Sequence, residues 1–433
     1  MRKVTFSVNG RNQCVEADSK KVLIDLLRDD LSLTGTKQSC DRKGQCGTCV
    51  VLINGNPVRS CLKKVAELEG ASVITVEGLG TPERPHPIQE AFVLSGAIQC
   101  GFCTPGLVME TKALLDRNPD PDVEEIKRAF AQNLCRCTGY KKIIEAVKLS
   151  ARFLSGEATP SEVRRSLNGR MIGTSLPRPS SMLKACGLAK FAGDIKVENT
   201  LELALVHSTE HHALIKSIDT TRAKTMPGVV GIMTAEDIKG TNRIRDAAPD
   251  QPVLCEDKVR TLGDPLVAVA AETRDQARAA AAAVKVEYER LPVMMTSEEA
   301  LASDAIQIHK HSPNLCYSQR LVKGDAEKAL AGSAAVVEAE FSTPMVHQAP
   351  LEPEACVAYL DGEGKDAQLV VIGRSVAIHI HLTQIKEAVG WDNTRYEEPM
   401  LVDSSASKHQ LQQRPSPQLR LCISSGLSDT YLV

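Results

Sequence analysis

The sequence predicts a multidomain α+β chain: a small β-grasp module, a helical module of four helices, then a longer α/β part. Three observations carry this. Apolar and polar residues alternate over 3–8, and "VVLI" and "PVRSC" flank an Asn-Gly turn at Asn54-Gly55, a strong hairpin signal. Helical patterns with start signals follow one another from about 87 to 154. The 14 cysteines are unevenly spread: eight fall between Cys40 and Cys137, in two groups of four.

The β-grasp reading is built in order. Residues 3–8 form a strand, and 21–31 ("KVLIDLLRDDL") an amphipathic helix. "VVLI" and "PVRSC" then flank the Asn54-Gly55 turn. Between helix and hairpin comes the first cysteine group, Cys40, Cys46, Cys49 and Cys61, spaced C-x5-C-x2-C-x11-C. A plant-type [2Fe–2S] ferredoxin has C-x4-C-x2-C and a distant fourth cysteine. One extra residue in the first gap would bulge the loop at 41–43. Gly44 and Gly47 permit the positive φ needed to aim backbone N–H groups at sulfur. The glycine-rich loop favours iron–sulfur over a zinc ribbon.

The helical module is read as helices near 87–97, over 104–116 (Thr104 and Pro105 at its start), over 122–133 after "NPDPD", and over 139–154 capped by Thr138. The second cysteine group lies at helix ends: Cys100, Cys103, Cys135 and Cys137, spaced C-x2-C-x31-C-x1-C. Cys135 and Cys137 are badly placed for a mutual disulfide and are not a redox CxxC. They read as half of a four-thiolate site whose other half is Cys100 and Cys103. Spacing alone leaves a Zn–Cys₄ site open here beside an iron–sulfur cluster.

Bulk properties narrow the function. A hydrophobic content of 42% supports real cores, and 3% aromatics makes them aliphatic. A net charge of −2 points to neither nucleic acid nor an anionic membrane as partner. The N-terminus reads as a strand rather than a signal peptide, and no run of about 18 apolar residues marks a membrane span. A cytoplasmic, reducing location is expected, where cysteines hold metals rather than disulfides. Cys14, Cys186, Cys255, Cys316, Cys356 and Cys422 are scattered and read as small buried hydrophobes or inert thiols.

The pairing of these motifs, with "CGFCTPG" and "CRCTGY" in the second, resembles the molybdenum hydroxylases: xanthine dehydrogenase, aldehyde oxidase and the bacterial aldehyde oxidoreductases. The resemblance implies two [2Fe–2S] clusters. Cys40, Cys46, Cys49 and Cys61 would hold the outer one; Cys100, Cys103, Cys135 and Cys137 would hold the one nearer molybdenum. "IGTSLPRPSSMLKACGLAKFAGDI" looks like the start of the large-subunit module. "MPGVVGIMTAEDI", "LGDPLVAVAAET" and "VKVEYERLP" resemble the α/β hammerhead domain, and "HQAPLEPEACVAYL" the first part of the molybdopterin-binding region. The implied layout is 1–78 ferredoxin-like, 79–155 helical, 156–178 linker, 179–298 hammerhead, 299–400 the start of a truncated molybdopterin-binding domain, and 401–433 an aberrant tail. With only a linker where some relatives insert an FAD domain, the layout resembles flavin-free aldehyde oxidoreductases.

The implied function is oxidation of an aldehyde or N-heterocycle with water-derived oxygen. Electrons would leave one at a time through the clusters to an external acceptor such as a ferredoxin or flavodoxin. A homodimer is compatible with this. The rival reading is a stand-alone two-cluster electron carrier; a third is a zinc-stabilised interaction protein. Iron content and a visible spectrum would separate zinc from iron. Molybdenum content and aldehyde-dependent dye reduction would separate enzyme from carrier. No catalytic residue is assigned. His347, Glu352 and Glu354 read as a buried turn. His379 and His381 in "AIHIHL" alternate like strand residues on one sheet face, and His211 and His212 as a surface loop without a role. The polar stretch 401–433 departs from the family's expected Gly-Gly-x-Phe-Gly loop. Read two bases out of frame, its codons permit Gly-Gly-Gln-Phe-Gly, so a frameshift near residue 400 is expected.

Overall fold

The computed structural model describes residues 2–399 apart from 19, 166–171, 173–175, 245–248, 311–312, 316 and 345. The tail assigned above to a shifted frame, and Cys316 and Cys422, lie outside the described residues. The chain forms two compact units, one of residues up to Ile195 with His347–Cys356, the other of Lys196–Val346 with Val357–Glu397.

In the first unit, β1 (Arg2–Val8), β2 (Arg11–Ala17), β3 (Val50–Ile53), β4 (Asn56–Arg59) and β5 (Ser72–Ile74) form one sheet in the order β2-β1-β5-β3-β4. β1 and β5 run parallel; the other pairs are antiparallel. Asn54 and Gly55 both adopt positive φ, as a two-residue hairpin with the natural strand twist requires. Val4, Phe6 and Val8 alternate inward to meet Leu23, Leu26, Leu27, Val51 and Val73. The helix expected over 21–31 is shorter and changes pitch: α1 (Leu23–Asp25) runs into a π-helical turn, Leu26–Asp30. Leu31 N–H bonds to Leu26 O five residues back, while Leu23, Leu26 and Leu27 stay buried.

The helical part holds α2 (Pro87–Leu94), α3 (Thr104–Arg117), α4 (Val123–Ala129), α5 (Lys141–Ser155), α6 (Pro160–Arg165) and α7 (Ser181–Ala185). Ile88, Phe92, Leu107, Met109, Ile126, Ile143 and Val147 form its aliphatic core. His86 with Gln89, and Asp122 with Glu125, make reciprocal capping boxes on α2 and α4. α4 ends earlier than the expected 133, because the chain after Phe130 turns away to bond the first cysteine loop. Thr138 does not cap α5 as expected: left-handed Gly139 and Tyr140 lead into the helix, and the Thr138 hydroxyl is spent on Cys135 and on Tyr140 N–H.

The second unit contains β6 (Glu202–His207), β7 (Ala213–Asp219), α8 (Thr221–Lys224), β8 (Val229–Met233), β9 (Lys258–Val259), β10 (Pro265–Ala271), α9 (Arg274–Ala283) and β11 (Lys285–Arg290). They make two three-stranded sheets, β6-β10-β8 and β11-β7-β9, around Ala213, Val259, Leu266, Val267, Val269 and Ala280. Short α10 (Ser297–Leu301) and α11 (Ala326–Ala331) follow, then a sheet β12-β13-β14 of Cys356–Asp361, Gln368–Gly373 and Thr394–Glu397.

Four sequence readings are corrected here. His379 and His381 lie in helix α12 (Ile378–Val389), not in a strand. Ile378, Leu382, Ile385 and Val389 repeat at helical spacing, and left-handed Gly390 ends the helix, so two histidines two apart project from different sides. His212 is not a surface residue: it is 3% exposed, its Nδ1 lies 2.6 Å from Pro292 O, and it ties the start of β7 to the chain after β11. Of the supposed buried turn, Glu352 is buried but His347 and Glu354 are exposed. Among the scattered thiols, Cys186 and Cys255 are buried as expected, whereas Cys14 and Cys356 are exposed.

Candidate metal centres

The first cysteine loop runs between α1 and β3. Asp41 and Arg42 both take positive φ, which accommodates the extra residue between Cys40 and Cys46 as a local bulge. The loop thereby turns its N–H groups inward. Those of Lys43, Gln45 and Cys46 reach the Cys40 sulfur, and that of Gly44 reaches Cys61. Burial pushes the Cys40 thiol up, but these donors outweigh it and lower its pKa. Cys49 and Cys61 face each other: Cys49 raises its pKa against its partner, and that contact draws Cys61 down to about 7. Cys46 Sγ lies 3.2 Å from Thr48 Oγ1, whose hydroxyl also reaches Lys37 O at 3.2 Å.

The second group is gathered by the N-terminus of α3 and the turn before α5. Cys103 occupies the N-cap of α3. Cys137 and Cys100 approach to 3.5 Å. Cys103 and Cys135 form the other close pair; the Cys103 contact holds Cys135 down to about 5, against burial, with help from Thr138, while Cys103 is raised. Burial first, then its cysteine neighbours, pushes Cys100 up to about 11. Tyr140 locks the turn: its hydroxyl accepts from Cys135 N–H at 2.9 Å and donates to Asn133 O at 2.9 Å.

All eight sequence-predicted cysteines therefore come together in their two groups, each as two pairs of thiols. Two thiolates on each of two irons match this pairing better than four converging on one tetrahedral ion. The inward N–H groups suit anionic sulfur. The two loops also touch. Leu134 N–H donates to Cys46 O at 2.9 Å. A Cβ on Gly47 would stand 2.4 Å from Gln132 O, and one on Gly106 would stand 2.4 Å from Gly47 O, so both positions require glycine for this approach.

Sequence reasoning missed the residues around the thiols. Thr48 and Tyr140 gave no signal beyond their place beside the cysteines, and Thr138 reads only as a helix cap. Lys37, 1% exposed, pairs with Asp194 at 2.5 Å and lies over Phe191 at 4.6 Å; Arg28 binds the other Asp194 oxygen at 2.7 Å. Burial draws Lys37 down to about 8 despite Asp194. Burial works against the Asp194 charge, but Lys37 and Arg28 hold its carboxyl below the usual range. This ion triad fastens residues 189–194 to the segment leading into Cys40. Arg136, between Cys135 and Cys137, donates to Gln348 O at 2.8 Å and His347 O at 3.1 Å, fixing 347–348 against the second loop. In the region of 308–397, residues 317–344 are exposed throughout.

Two modules that each gather four thiols, one on a β-grasp sheet and one on a helical bundle, define the class as a two-centre iron–sulfur redox protein. Comparison with known proteins agrees. Residues 6–74 match the 2Fe-2S iron-sulfur cluster binding domain and 75–148 the [2Fe-2S] binding domain. Residues 186–292 match the aldehyde oxidase and xanthine dehydrogenase a/b hammerhead domain, and 308–397 the molybdopterin cofactor-binding domain. The aldehyde oxidoreductase of Megalodesulfovibrio gigas is 40% identical over 403 residues, 89% of this chain and 44% of that relative. The small FeS subunit of nicotinate dehydrogenase from Eubacterium barkeri is 45% identical over 150 residues, 34% of this chain and 95% of the relative. A solved aldehyde oxidoreductase from Desulfovibrio gigas superposes with a TM-score of 0.84 at 38% identity, covering 92% of this chain and 46% of that one. The chain belongs to the molybdenum hydroxylase family and carries two [2Fe–2S]-binding domains, a hammerhead domain and a molybdopterin cofactor-binding domain. It spans less than half the length of the aldehyde oxidoreductases it matches.

Proposed function

We propose that this chain is the electron-exit part of an aldehyde-oxidoreductase-like molybdenum hydroxylase. Cys40, Cys46, Cys49 and Cys61 hold the outer [2Fe–2S] cluster, and Cys100, Cys103, Cys135 and Cys137 the inner one. When bound, each cluster supplies a one-electron redox centre. The chain's own part is to present thiolates in pairs, aim N–H groups at them, and bring the two loops into contact. The single observation that carries the reading is this contact, Leu134 N–H to Cys46 O at 2.9 Å. It joins the backbone beside a cysteine of one group to a cysteine of the other, a short route for electrons.

The proposed domains are 1–78, 79–155, 179–298 and 299–400, with 156–178 as linker. The substrate class is an aldehyde or N-heterocycle, the acceptor a ferredoxin- or flavodoxin-like protein, the location cytoplasmic, and the assembly a homodimer. No helix among the described residues is long and apolar enough to cross a membrane. The likeness of the first 150 or so residues to a separate small FeS subunit favours a second reading, a stand-alone electron carrier. One preparation separates them. Iron and acid-labile sulfide with molybdenum and aldehyde-dependent dye reduction support the enzyme. Iron and sulfide alone, with dithionite-driven dye reduction, support the carrier. Stoichiometric zinc in place of iron overturns both.

A further inference from the structure

A cavity of about 570 Å³ opens between β4 and the end of α4, on the face of the first unit that carries the Cys61 turn. Arg59, Lys63 and Arg128 bring three cationic side chains to it, and Glu110 from α3 a single acidic one. Lys63 is paired with Glu67 at 2.9 Å, whereas Arg59 and Arg128 have no ion-pair partner among the described residues. Arg59 Nε is buried and without a hydrogen-bond partner, and so is Nδ2 of Asn133, which is 4% exposed and lines the same cavity. A buried donor without an acceptor costs free energy, so these groups suit a ligand that accepts hydrogen bonds. Burial raises the pKa of Glu110, while the Arg117 and Arg59 charges work to lower it.

The place of the cavity matters as much as its charge. Arg59 stands two residues before Cys61, and Asn133 two before Cys135. Leu62, 54% exposed, lies at the cavity, and Leu134, 46% exposed, follows Asn133. Exposed leucines beside a charged pocket are the composition of a protein interface: an apolar contact with a charged anchor. A small free anion would make no use of them.

We propose that this cavity receives a carboxylate side chain of an acidic electron-accepting protein and docks that protein beside the Cys61 turn. The proposal rests on the electron-exit reading above. In the docked pair one electron passes from the reduced chain to the acceptor, which gains it; no bond is made or broken.

The experiment uses the full chain with its iron–sulfur centres loaded, reduced by dithionite and freed of excess reductant. Its reoxidation is followed by stopped flow with an acidic flavodoxin or ferredoxin and, separately, with an uncharged quinone dye. Arg128→Glu changes an exposed helical residue that is not one of the cysteines; Arg59→Gln is the second variant. At low ionic strength the expected result is a fall of about tenfold in the association rate with the acidic protein for Arg128→Glu, with a flatter salt dependence. The quinone rate should stay unchanged. Unaltered rates with the acidic protein in both variants overturn the docking site. An equal loss with the quinone also overturns it, since the effect would then lie in the redox centres. Competition by inorganic phosphate without any dependence on the acidic protein reassigns the cavity to a small anion and overturns it likewise. Wild-type chain that reduces neither acceptor overturns the electron-exit reading itself.

Discussion

The carbonyl of Cys46 accepts a 2.9 Å hydrogen bond from the backbone N–H of Leu134, one residue before Cys135. Cysteines 89 positions apart in the chain (135 minus 46) are thus linked through one hydrogen bond and a few covalent bonds. Removing that donor tests whether the contact matters. Leu134→Pro should leave iron content intact and slow electron exchange between the two centres; Leu134→Ala, which keeps the N–H, should not. Freeze-quench EPR after partial reduction reads the exchange, and equal rates in the two variants would refute the route.

The eight thiols should hold about four irons per chain as two spectroscopically distinct centres. Cys137→Ser removes one cysteine of the Cys100–Cys137 pair. The expected outcome is loss of one reduced EPR signal with the other retained and about half the iron. Loss of both signals would contradict two separate sites.

Tyr140 binds Cys135 N–H and Asn133 O through one hydroxyl. Tyr140→Phe keeps the ring and frees both groups. Thermal unfolding should show a loss of about 1 kcal/mol, and the signal of the second centre should shift while that of the first stays fixed. A change confined to the first centre would count against this role.

Asp194 is the only acidic member of a buried triad with Lys37 and Arg28. Asp194→Asn leaves Lys37 buried without its ion-pair partner, at a cost of about 3–5 kcal/mol by denaturant unfolding. Replacing Lys37 and Asp194 together by methionine and leucine should recover much of that loss. If the single variant matches wild type, the triad does not fasten residues 189–194.

His86 caps α2 by accepting Ile88 N–H on its neutral Nδ1 at 3.2 Å. Burial, and then the Lys112 charge, lower its pKa below the ordinary 6.5. As pH falls through 6.5 the unfolded chain takes up the proton first. The cap therefore contributes in full above 6.5 and is lost as pH drops toward the folded value. The effect should be on the order of 1 kcal/mol. His86→Asn supplies a cap that does not titrate, so its melting temperature should vary less between pH 7 and 5.5. An identical pH profile in the two proteins would remove His86 as the cause.

What the sequence determined by itself was chemistry fixed by local spacing. The two cysteine sets, the Asn54-Gly55 hairpin and the α3 start at Thr104-Pro105 were legible, because turn, cap and periodic patterns act within a few residues; the hammerhead segments were legible only as a family resemblance. The reading failed where one pattern satisfied two periods. "AIHIHL" alternates like a strand, but the leucine, isoleucine and valine that follow complete a helical face and Gly390 closes it. Thr138 carried a cap's residue type, yet its hydroxyl bonds Cys135, a use visible only once the turn has brought them together. Tertiary structure alone decided the contacts between distant segments: the pairing within each cysteine group, Leu134 on Cys46, Arg136 on 347–348, and the burial of Lys37 against Asp194. A buried lysine looks like any surface lysine in a sequence, because its partner 157 positions away becomes its neighbour only when the chain folds.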